Sequence, residues 1–532
     1  MSFYPGSGGS GGGLQPWQFQ PESYGAKGDG KVGNGGSGSS GSAAFSDAGA
    51  SFTAADKGKA IMINGGSGAT NAPLITTIAS VNSATSVTLG ATLGANVSSG
   101  QYIYGTDDTA AFVSCVAAAS NFAQGISGGG TGFGNFYAQI FLASKYYCLA
   151  SGPTQTGNGS SIPTFNSQIA LPYPNANGAT QKLVLEFFSE GDGSQCQYFE
   201  STIVNLQSAC LVSMVAAPAS GGSVTFGAQS VIGGPTGSSG FTGGFANVKA
   251  MLTGITVVTG ALTQQMGADF RFCGGAHVDK CGFQAFASVL GNSPTLGSLI
   301  SNATFTSGNS TGLYMPVVTN NDDCNVGVLS VEGFSFGVAF NEHFTATRLA
   351  LIYCNSGAFL NPSGSPIHGF SILYMSCEAS NTALQISTAA SGQVPCFIGL
   401  MDNEAITNFD VVDPSNDLIG LINWAAFDQA TPRISAAANV TIVSRRLASG
   451  HMASPPAVPL TTVASTPVFR PASVVVHTGV GVTVSAVSVN GTATGLTMAA
   501  SSSLALPGVP SGGTVTLTYA GGTPTWDWWL SG

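Results

Sequence analysis

Short apolar runs broken by glycine, asparagine and serine dominate the middle of the chain, from about residue 137 to residue 443. The clearest of these runs are Gly327–Phe340, Thr347–Leu360 and Gly369–Ile386. Aligned by eye, two sets of apolar positions recur at steps of 20 and 21 residues: Leu329, Leu349 and Phe370, and Val331, Leu351 and Ile372. Strand-length runs at a long fixed period are typical of a β-solenoid, and a β-sandwich explains them less well.

One helix is predicted, from the segment Gly105–Phe112 (GTDDTAAF) onward to about Ser120. Thr106 can serve as the N-cap, and Asp107 and Asp108 then lie in the first turn, where the helix dipole favours negative charge. Helical spacing places four apolar residues on one face: Phe112, Val113, Val116 and Ala117. The two aspartates could instead be a catalytic or calcium-binding pair, but capping explains them better.

Changes in composition divide the chain into four parts. Residues 1–20 form an arm rich in glycine and serine. Residues 21–105 contain a small β module, in which Leu74–Val81 and Ser86–Leu89 are predicted to pair as a hairpin. Residues 106–450 hold the helix and the solenoid. Residues 451–532 begin with a proline-rich linker and then alternate with period two, which predicts a C-terminal antiparallel, β-sandwich-like domain.

Low charge limits the classes of partner. Charged residues make up only 7% of the chain, against about 25% in ordinary soluble domains. With 14 lysines and arginines and a net charge of −10, a nucleic-acid partner is not expected. No run of about 18 apolar residues is present, so membrane insertion is not expected either. The N-terminus lacks a signal-peptide pattern, which favours assembly in a cytoplasm.

The cysteines predict buried thiols rather than a metal site. Most of the 10 cysteines lie inside apolar runs, and no CxxC pair occurs. Cysteine in such surroundings packs as a small hydrophobic side chain. No metal and no cofactor are therefore predicted.

Two segments carry a resemblance to a known family. YGAKGDGK (Tyr24–Lys31) and GTDDTAAF (Gly105–Phe112) resemble the N-terminal signature of the pectate-lyase-like right-handed β-helix superfamily. The segments Leu14–Lys31 and Gly512–Trp528, and the insert between the two signature halves, resemble tail proteins of actinobacterial viruses. The resemblance implies a mainly β fold: a right-handed parallel β-helix with an N-terminal capping helix, a small β insert and a C-terminal antiparallel domain.

The same resemblance implies a homotrimeric protein of a bacteriophage tail, assembled in the host cytoplasm and acting outside it. Its partners would be other phage tail proteins and a glycan of the host cell surface. Three functions remain open: a tail fibre or tailspike (a minor tail protein) that binds an envelope glycan in host adsorption, a polysaccharide depolymerase of the same shape, and a structural tail-tip component without a ligand. The superfamily includes lyases, hydrolases and inactive members, so the fold does not settle the function.

Asp402 and Glu404 are the candidate catalytic residues. Carboxylates at positions i and i+2 on one strand face lie about 7 Å apart, which suits an inverting glycosidase. This requires the segment to be extended and outward-facing. The simpler alternative is a polar turn after Met401.

Six further residues are candidates for glycan binding. Tyr353 and Tyr374 are predicted to occupy the same place in successive coils, as stacking surfaces for sugars or as an interior stack. Glu332 and Glu378 lie on or beside the repeating strands, with a solvated surface carboxylate as the simpler interpretation. Asp322 and Asp323 end a polar turn, Asn320–Asp323, that could bind calcium or sugar hydroxyls, although a plain turn explains it more simply.

Overall fold

A computed structural model describes the chain over residues 15–68, 73–125, 136–152, 167–171, 183–195, 208–215, 229–233, 246–260, 265–271, 273–285, 310–316, 324–341, 343–360, 369–387, 393–426, 432–437, 439–444, 450–451, 456–465, 467, 472–506 and 508–530. These residues form a mainly β protein with two large parallel sheets, a closed barrel and two small antiparallel sheets. Within them, no helix has the length and apolar content needed to cross a membrane.

The first described elements are a short strand, a six-stranded antiparallel barrel and a helix. Their bounds are β1 Gln18–Phe19, β2 Lys31–Gly38, β3 Ala44–Ser46, β4 Ala60–Ile63, β5 Leu74–Ser83, β6 Ser86–Leu89, β7 Val97–Gly105 and α1 Thr109–Gly125, with 3-10 turns at Pro21–Tyr24 and Ala54–Asp56. The barrel closes in the order β2-β3-β6-β5-β4-β7. Antiparallel pairing of β5 with β6 confirms the predicted hairpin.

The two halves of the N-terminal signature meet although the barrel separates them in sequence. Asp108 accepts hydrogen bonds from the backbone N–H groups of Lys27 at 2.6 Å and Gly28 at 3.0 Å. In return, Asp29 accepts the N–H and the hydroxyl of Thr106, each at 2.9 Å. The prediction that Thr106 is the helix N-cap is therefore wrong, because its side chain is bonded to the other half of the signature.

The helix starts three residues later than predicted, at Thr109, whose N–H donates to Asp107 Oδ1 at 3.0 Å. The capping role of Asp107 is thus confirmed. Its buried face consists of Phe112, Cys115, Val116, Ala119 and Ala123, which join the main hydrophobic core. Val113 and Ala117 were predicted to share this face, but they lie on the exposed side of the helix.

The solenoid is built from short strands that stack in parallel from coil to coil. They are β8 Phe136–Phe141, β9 Tyr146–Leu149, β10 Ser167–Ala170, β11 Leu183–Phe188, β12 Ala209–Ser213, β13 Gln229–Gly233, β14 Ala246–Thr253, β15 Ile255–Thr259, β16 Gln265–Asp269, β17 Cys273–Asp279, β18 Cys281–Ala285, β19 Thr311–Tyr314, β20 Cys324–Glu332, β21 Phe336–Phe340, β22 Phe344–Ile352, β23 Ser356–Leu360, β24 Phe370–Glu378, β25 Thr382–Ile386, β26 Val394–Glu404, β27 Phe409–Asp413, β28 Leu418–Ala426, β29 Ile434–Ala436 and β30 Val440–Ser444, with a 3-10 turn at Gly193–Gln195.

These strands form a 15-stranded sheet and a nine-stranded sheet that face each other across one core. The nine-stranded sheet runs β10-β13-β16-β19-β21-β23-β25-β27-β29. In the large sheet, β20 pairs with β17 through its first half and with β18 through its second half. From β20 onward, two strands of each coil are therefore merged into one longer strand.

The coil period is less regular than the sequence suggested. Leu329 pairs with Leu349, which confirms the first predicted step of 20 residues. The second step is wrong, because Leu349 pairs with Met375 and not with Phe370. The additional residues of this coil fall at one corner, between Leu360 and Phe370. Residues added at a corner lengthen a coil without disturbing the stacked strands, so a fixed period fails there.

The barrel lies against the outer face of the early coils. A mixed cluster of buried residues joins them: Ala60, Met62 and Ile103 from the barrel, and Cys148, Cys210, Val212, Met214 and Val258 from the solenoid. Lys59 of the barrel also forms ion pairs with Asp29 at 2.7 Å and with Asp56 at 2.9 Å. All cysteines in the described part of the chain are buried free thiols, as predicted.

The last described strands are antiparallel, as predicted for this region. They are β31 Gly450–His451, β32 Ala472–His477, β33 Thr483–Val489, β34 Thr492–Ala493, β35 Ser503–Ala505, β36 Val515–Ala520 and β37 Thr525–Leu530. Two sheets result, in the orders β31-β37-β32-β35 and β34-β33-β36. Their apolar faces share one hydrophobic cluster that includes Val474, Val476, Leu517, Trp526 and Trp528.

Candidate functional site

Asp402 and Glu404 lie on the outer face of strand β26. The neighbouring Met401 and Asn403 are fully buried and point into the solenoid, so alternation directs the two carboxylates outward. The segment is a strand rather than the polar turn considered as the simpler alternative. The extended, outward geometry that an i and i+2 carboxylate pair requires is therefore present.

Each long strand from β20 to β26 presents two consecutive residues outward where it bends. In β24, Leu373 and Tyr374 lie between the buried Ile372 and Met375. The corresponding pairs are Gly327 and Val328 in β20, Thr347 and Arg348 in β22, and Gly399 and Leu400 in β26. These pairs stack across the coils and form one continuous ridge on the outside of the large sheet.

Tyr374 is held between coils by two polar neighbours. Its hydroxyl donates to Asp402 Oδ2 at 3.2 Å, and the Arg348 guanidinium lies 5.8 Å from the ring centroid. Burial raises the pKa of Tyr374, and the negative charge of Asp402 raises it further. The phenol therefore stays protonated and remains a hydrogen-bond donor at neutral pH. An Arg–aromatic contact of this kind also restricts the orientation of the ring.

The predicted stacking of Tyr353 and Tyr374 is wrong. Tyr374 pairs with Arg348, whereas Tyr353 follows the end of β22 with φ of 52°. Its N–H donates to the carbonyl of Glu378 at 3.1 Å, at a corner between strands. The error has the same cause as the wrong coil step, because the two tyrosines were aligned with a period that was too short.

Glutamates occupy three of four stacked positions at the ends of β20, β22, β24 and β26. The row runs Glu332, Ile352, Glu378 and Glu404. Exposure increases along it: Glu332 is 4% exposed, Glu378 is half-buried and Glu404 is exposed. The expectation of a solvated surface carboxylate is therefore wrong for Glu332.

Burial raises the pKa of Glu332 to about 8, and the charge of Glu378 contributes to the shift. Among the described residues, Oε2 of Glu332 has no hydrogen-bond partner. A carboxylate in this position would be poorly solvated, so Glu332 holds its proton at neutral pH. The row thus combines a neutral carboxylic acid with more exposed carboxyl groups on later coils.

Two apolar side chains on this surface were not identified from the sequence. Leu373 is 56% exposed and Phe397 is 39% exposed. Phe397 lies on β26 opposite Ser371 and Leu421. The spacing of Ile372 and Met375, with two residues between inward positions instead of one, is the signal that could have revealed the bend.

We call the outward residues Arg348, Leu373, Tyr374, Ser376, Phe397 and Asp402 the bend surface. It combines an aromatic hydroxyl, an exposed ring, a carboxylate and a guanidinium on adjacent strands. Sugar-binding sites pair apolar contact area with a few fixed polar groups, and this surface supplies both. The neighbouring strands lie about 4.8 Å apart, so the groups sit at the spacing of adjacent coils.

Comparison with known proteins gives little further information. No protein-family model matches the chain, and no curated protein matches it. Among solved structures, it is similar to the tailspike protein gp49 from Pseudomonas phage LKA1, with 10% identity over 94% of this chain and 81% of that chain and a TM-score of 0.21.

A second similar structure is the Gp54 tailspike of Acinetobacter baumannii bacteriophage AP22, solved in complex with A. baumannii capsular saccharide. It is 10% identical over 94% of this chain and 84% of that chain, with a TM-score of 0.20. Scores this low carry no argument about the site. The description of the bend surface therefore rests on the strands and side chains of this chain alone.

Two of the candidate residues, Asp322 and Asp323, lie outside the described residues. Of the remaining six, the structure brings Tyr374 and Asp402 into direct contact. Glu332, Glu378 and Glu404 share one stacked row on the same outer face. Tyr353 lies at the corner that follows this row, and its side chain packs against the main core.

Proposed function

We propose that this chain is a bacteriophage tailspike or tail fibre that binds a glycan of the bacterial envelope through the bend surface. The observation that carries the binding proposal is the Tyr374–Asp402 contact beside the exposed Phe397 and Leu373. An aromatic ring fixed on a rigid parallel sheet can stack on a sugar, while Asp402, Arg348 and Ser376 bond its hydroxyls. The viral tail context is supported by the sequence resemblance at Leu14–Lys31 and Gly512–Trp528.

The proposal extends to the finer features of the fold. We propose right-handed winding, with α1 closing the N-terminal end of the solenoid. Its buried face packs among core residues of the first coils, which supports this position. The chain would function in four parts, residues 1–20, 21–105, 106–450 and 451–532, with the N-terminal parts joining other tail proteins.

We also propose that the protein is a homotrimer in the virion. Sedimentation equilibrium of the purified protein should then give about three times the chain mass of 53.2 kDa. A mass of one chain at micromolar concentration would contradict the trimer. It would leave the glycan-binding proposal open, since the bend surface lies within one chain.

Binding can be tested with the purified full-length chain. Fluorescently labelled protein should bind saturably to cells of a susceptible bacterium, and polysaccharide released from those cells should compete. Retained binding after removal of envelope glycans, or competition by unrelated polysaccharides alone, would contradict the proposal.

A second candidate function is cleavage of the same glycan, favoured by the outward Asp402 and Glu404 on β26. Their spacing of about 7 Å suits general acid and general base groups on either side of a water molecule. Release of reducing ends that is lost in both Asp402→Asn and Glu404→Gln would support the enzyme. Binding without any release over a long incubation would support adsorption alone.

A further inference from the structure

Three strands of the C-terminal antiparallel domain bring a serine, a histidine and an aspartate together. Ser503 on β35 lies directly opposite His477 on β32, and Asp527 lies on β37 at the other side of β32. Ser503 Oγ is 2.6 Å from His477 Nδ1. His477 Nε2 is 3.0 Å from Asp527 Oδ2. Both ring nitrogens are therefore engaged, each by a different strand.

The three side chains lie on the outer face of their sheet. Val476 and the tryptophans Trp526 and Trp528 point into the core, so alternation turns His477 and Asp527 toward solvent. Their side chains are 37% and 43% exposed. A substrate in solution can therefore reach this group without any movement of the fold.

One imidazole tautomer satisfies both contacts. With the proton on Nε2, His477 donates to the carboxylate of Asp527, and the Nδ1 lone pair accepts the hydroxyl of Ser503. This is the arrangement of a nucleophile, a general base and an orienting acid, with the two ring nitrogens exchanged relative to chymotrypsin-like enzymes. It polarises the Ser503 hydroxyl toward attack.

The open edge of β35 supplies donors beside the serine. β35 is the last strand of its sheet, and the Leu506 N–H donates to the carbonyl of Val474 on β32 at 2.8 Å. Because hydrogen-bonding positions alternate along an antiparallel strand, the N–H groups of Ser503 and Ala505 point away from β32. Edge N–H groups of this kind can stabilise a developing oxyanion.

The next outward pair on the same strands is Val475 and Ala505. These small apolar side chains lie about 7 Å along the strands from His477 and Ser503. They offer room and apolar contact for a short acyl chain but no pocket for a large one. The surroundings therefore favour short-chain acyl esters over bulky ones.

We propose that Ser503, His477 and Asp527 form an acyl-transfer site that hydrolyses short-chain O-acyl esters. Ser503 Oγ attacks the ester carbonyl carbon while His477 Nδ1 takes the hydroxyl proton. The carbonyl–oxygen bond to the alcohol then breaks, and His477 returns the proton to the departing alcohol oxygen. Water attacks the acyl-serine with His477 again as base, which releases the carboxylic acid and restores Ser503.

The test uses full-length protein, 4-nitrophenyl acetate and a fluorophosphonate probe. Peptide mapping by mass spectrometry should find the phosphonyl adduct on Ser503. Ser503→Ala and His477→Gln should lower 4-nitrophenolate release about 100-fold. Asp527→Asn should also lower it, because the histidine is no longer held in the productive tautomer.

Ser485→Ala is the matched control, since Ser485 is also exposed on a strand of this domain but bonds only to the carbonyl of Thr518. Its rate should equal that of the unaltered protein. Absence of the adduct on Ser503, or equal release by Ser503→Ala and unaltered protein, would overturn the proposal. Neither result bears on glycan binding, which lies on a different part of the chain.

Discussion

Tyr374 donates its phenolic hydrogen to Asp402 across adjacent coils of the solenoid, at 3.2 Å from Oδ2. The contact joins β24 to β26 on their solvent side, where most solenoid positions need no partner. It fixes the ring at the centre of the bend surface and leaves Asp402 with further acceptor capacity for a ligand.

Replacing Tyr374 should separate the contribution of the ring from that of its hydroxyl. Tyr374→Ala removes the stacking surface and should weaken glycan binding about tenfold or more, which corresponds to about 1.4 kcal/mol. Tyr374→Phe keeps the ring and should lose less. Binding of labelled protein to cells or immobilised polysaccharide measures both.

The control for this pair is Tyr24→Ala, because Tyr24 is 37% exposed but lies on the 3-10 turn beside the N-terminal signature. Its binding should be unchanged. If Tyr374→Ala binds as tightly as Tyr24→Ala, the bend surface is not the glycan site.

Glu332 should make stability depend on pH. Its pKa is about 8 in the folded protein and has the ordinary glutamate value when unfolded, so between these values the folded state holds a proton that the unfolded state has lost. Stability is thus fully present below the unfolded pKa and falls as pH rises through 8. The slope for one such group is about 1.4 kcal/mol per pH unit.

Glu332→Gln keeps the shape and hydrogen of the protonated acid but cannot ionise. Denaturant unfolding at pH 5 and pH 8 should show it close to the unaltered protein at pH 5 and more stable at pH 8. Glu190→Gln removes the same charge from an exposed site and is the control. Parallel pH profiles for all three proteins would contradict the buried, neutral state of Glu332.

The contact of Asp108 with Lys27 and Gly28 should stabilise the junction between the barrel and the solenoid. Asp108→Ala leaves two backbone N–H groups without their acceptor and should cost about 2–4 kcal/mol. Hydrogen exchange should show faster exchange at these two amides in particular.

Asp192→Ala provides the comparison, since Asp192 bonds Ser194 within its own turn. It should leave the amides of Lys27 and Gly28 protected. Unchanged exchange of these amides in Asp108→Ala would show that the contact does not hold the junction.

The sequence predicted the parts of the structure that depend on local pattern. Inward Leu329 and Leu349 revealed a parallel solenoid because their coil has no additional residues at its corners. Asp402 and Glu404 were identified together because one strand carries both. Neither inference needed the alignment of distant segments.

Features that depend on register between coils were missed. The coil that ends in β24 is longer than the one before it, so Tyr374 was matched with Tyr353 when it lies opposite Arg348. The burial of Glu332 was missed for a related reason, because alternation along β20 gives its outward direction but not what surrounds it.

The most direct test of the account is a crystal structure of the full-length protein with an oligosaccharide from the envelope glycan that it binds. The account predicts a sugar ring against Tyr374 or Phe397, with hydroxyls bonded to Asp402 and Arg348. A sugar bound elsewhere on the chain, with the bend surface vacant at saturating ligand, would contradict it.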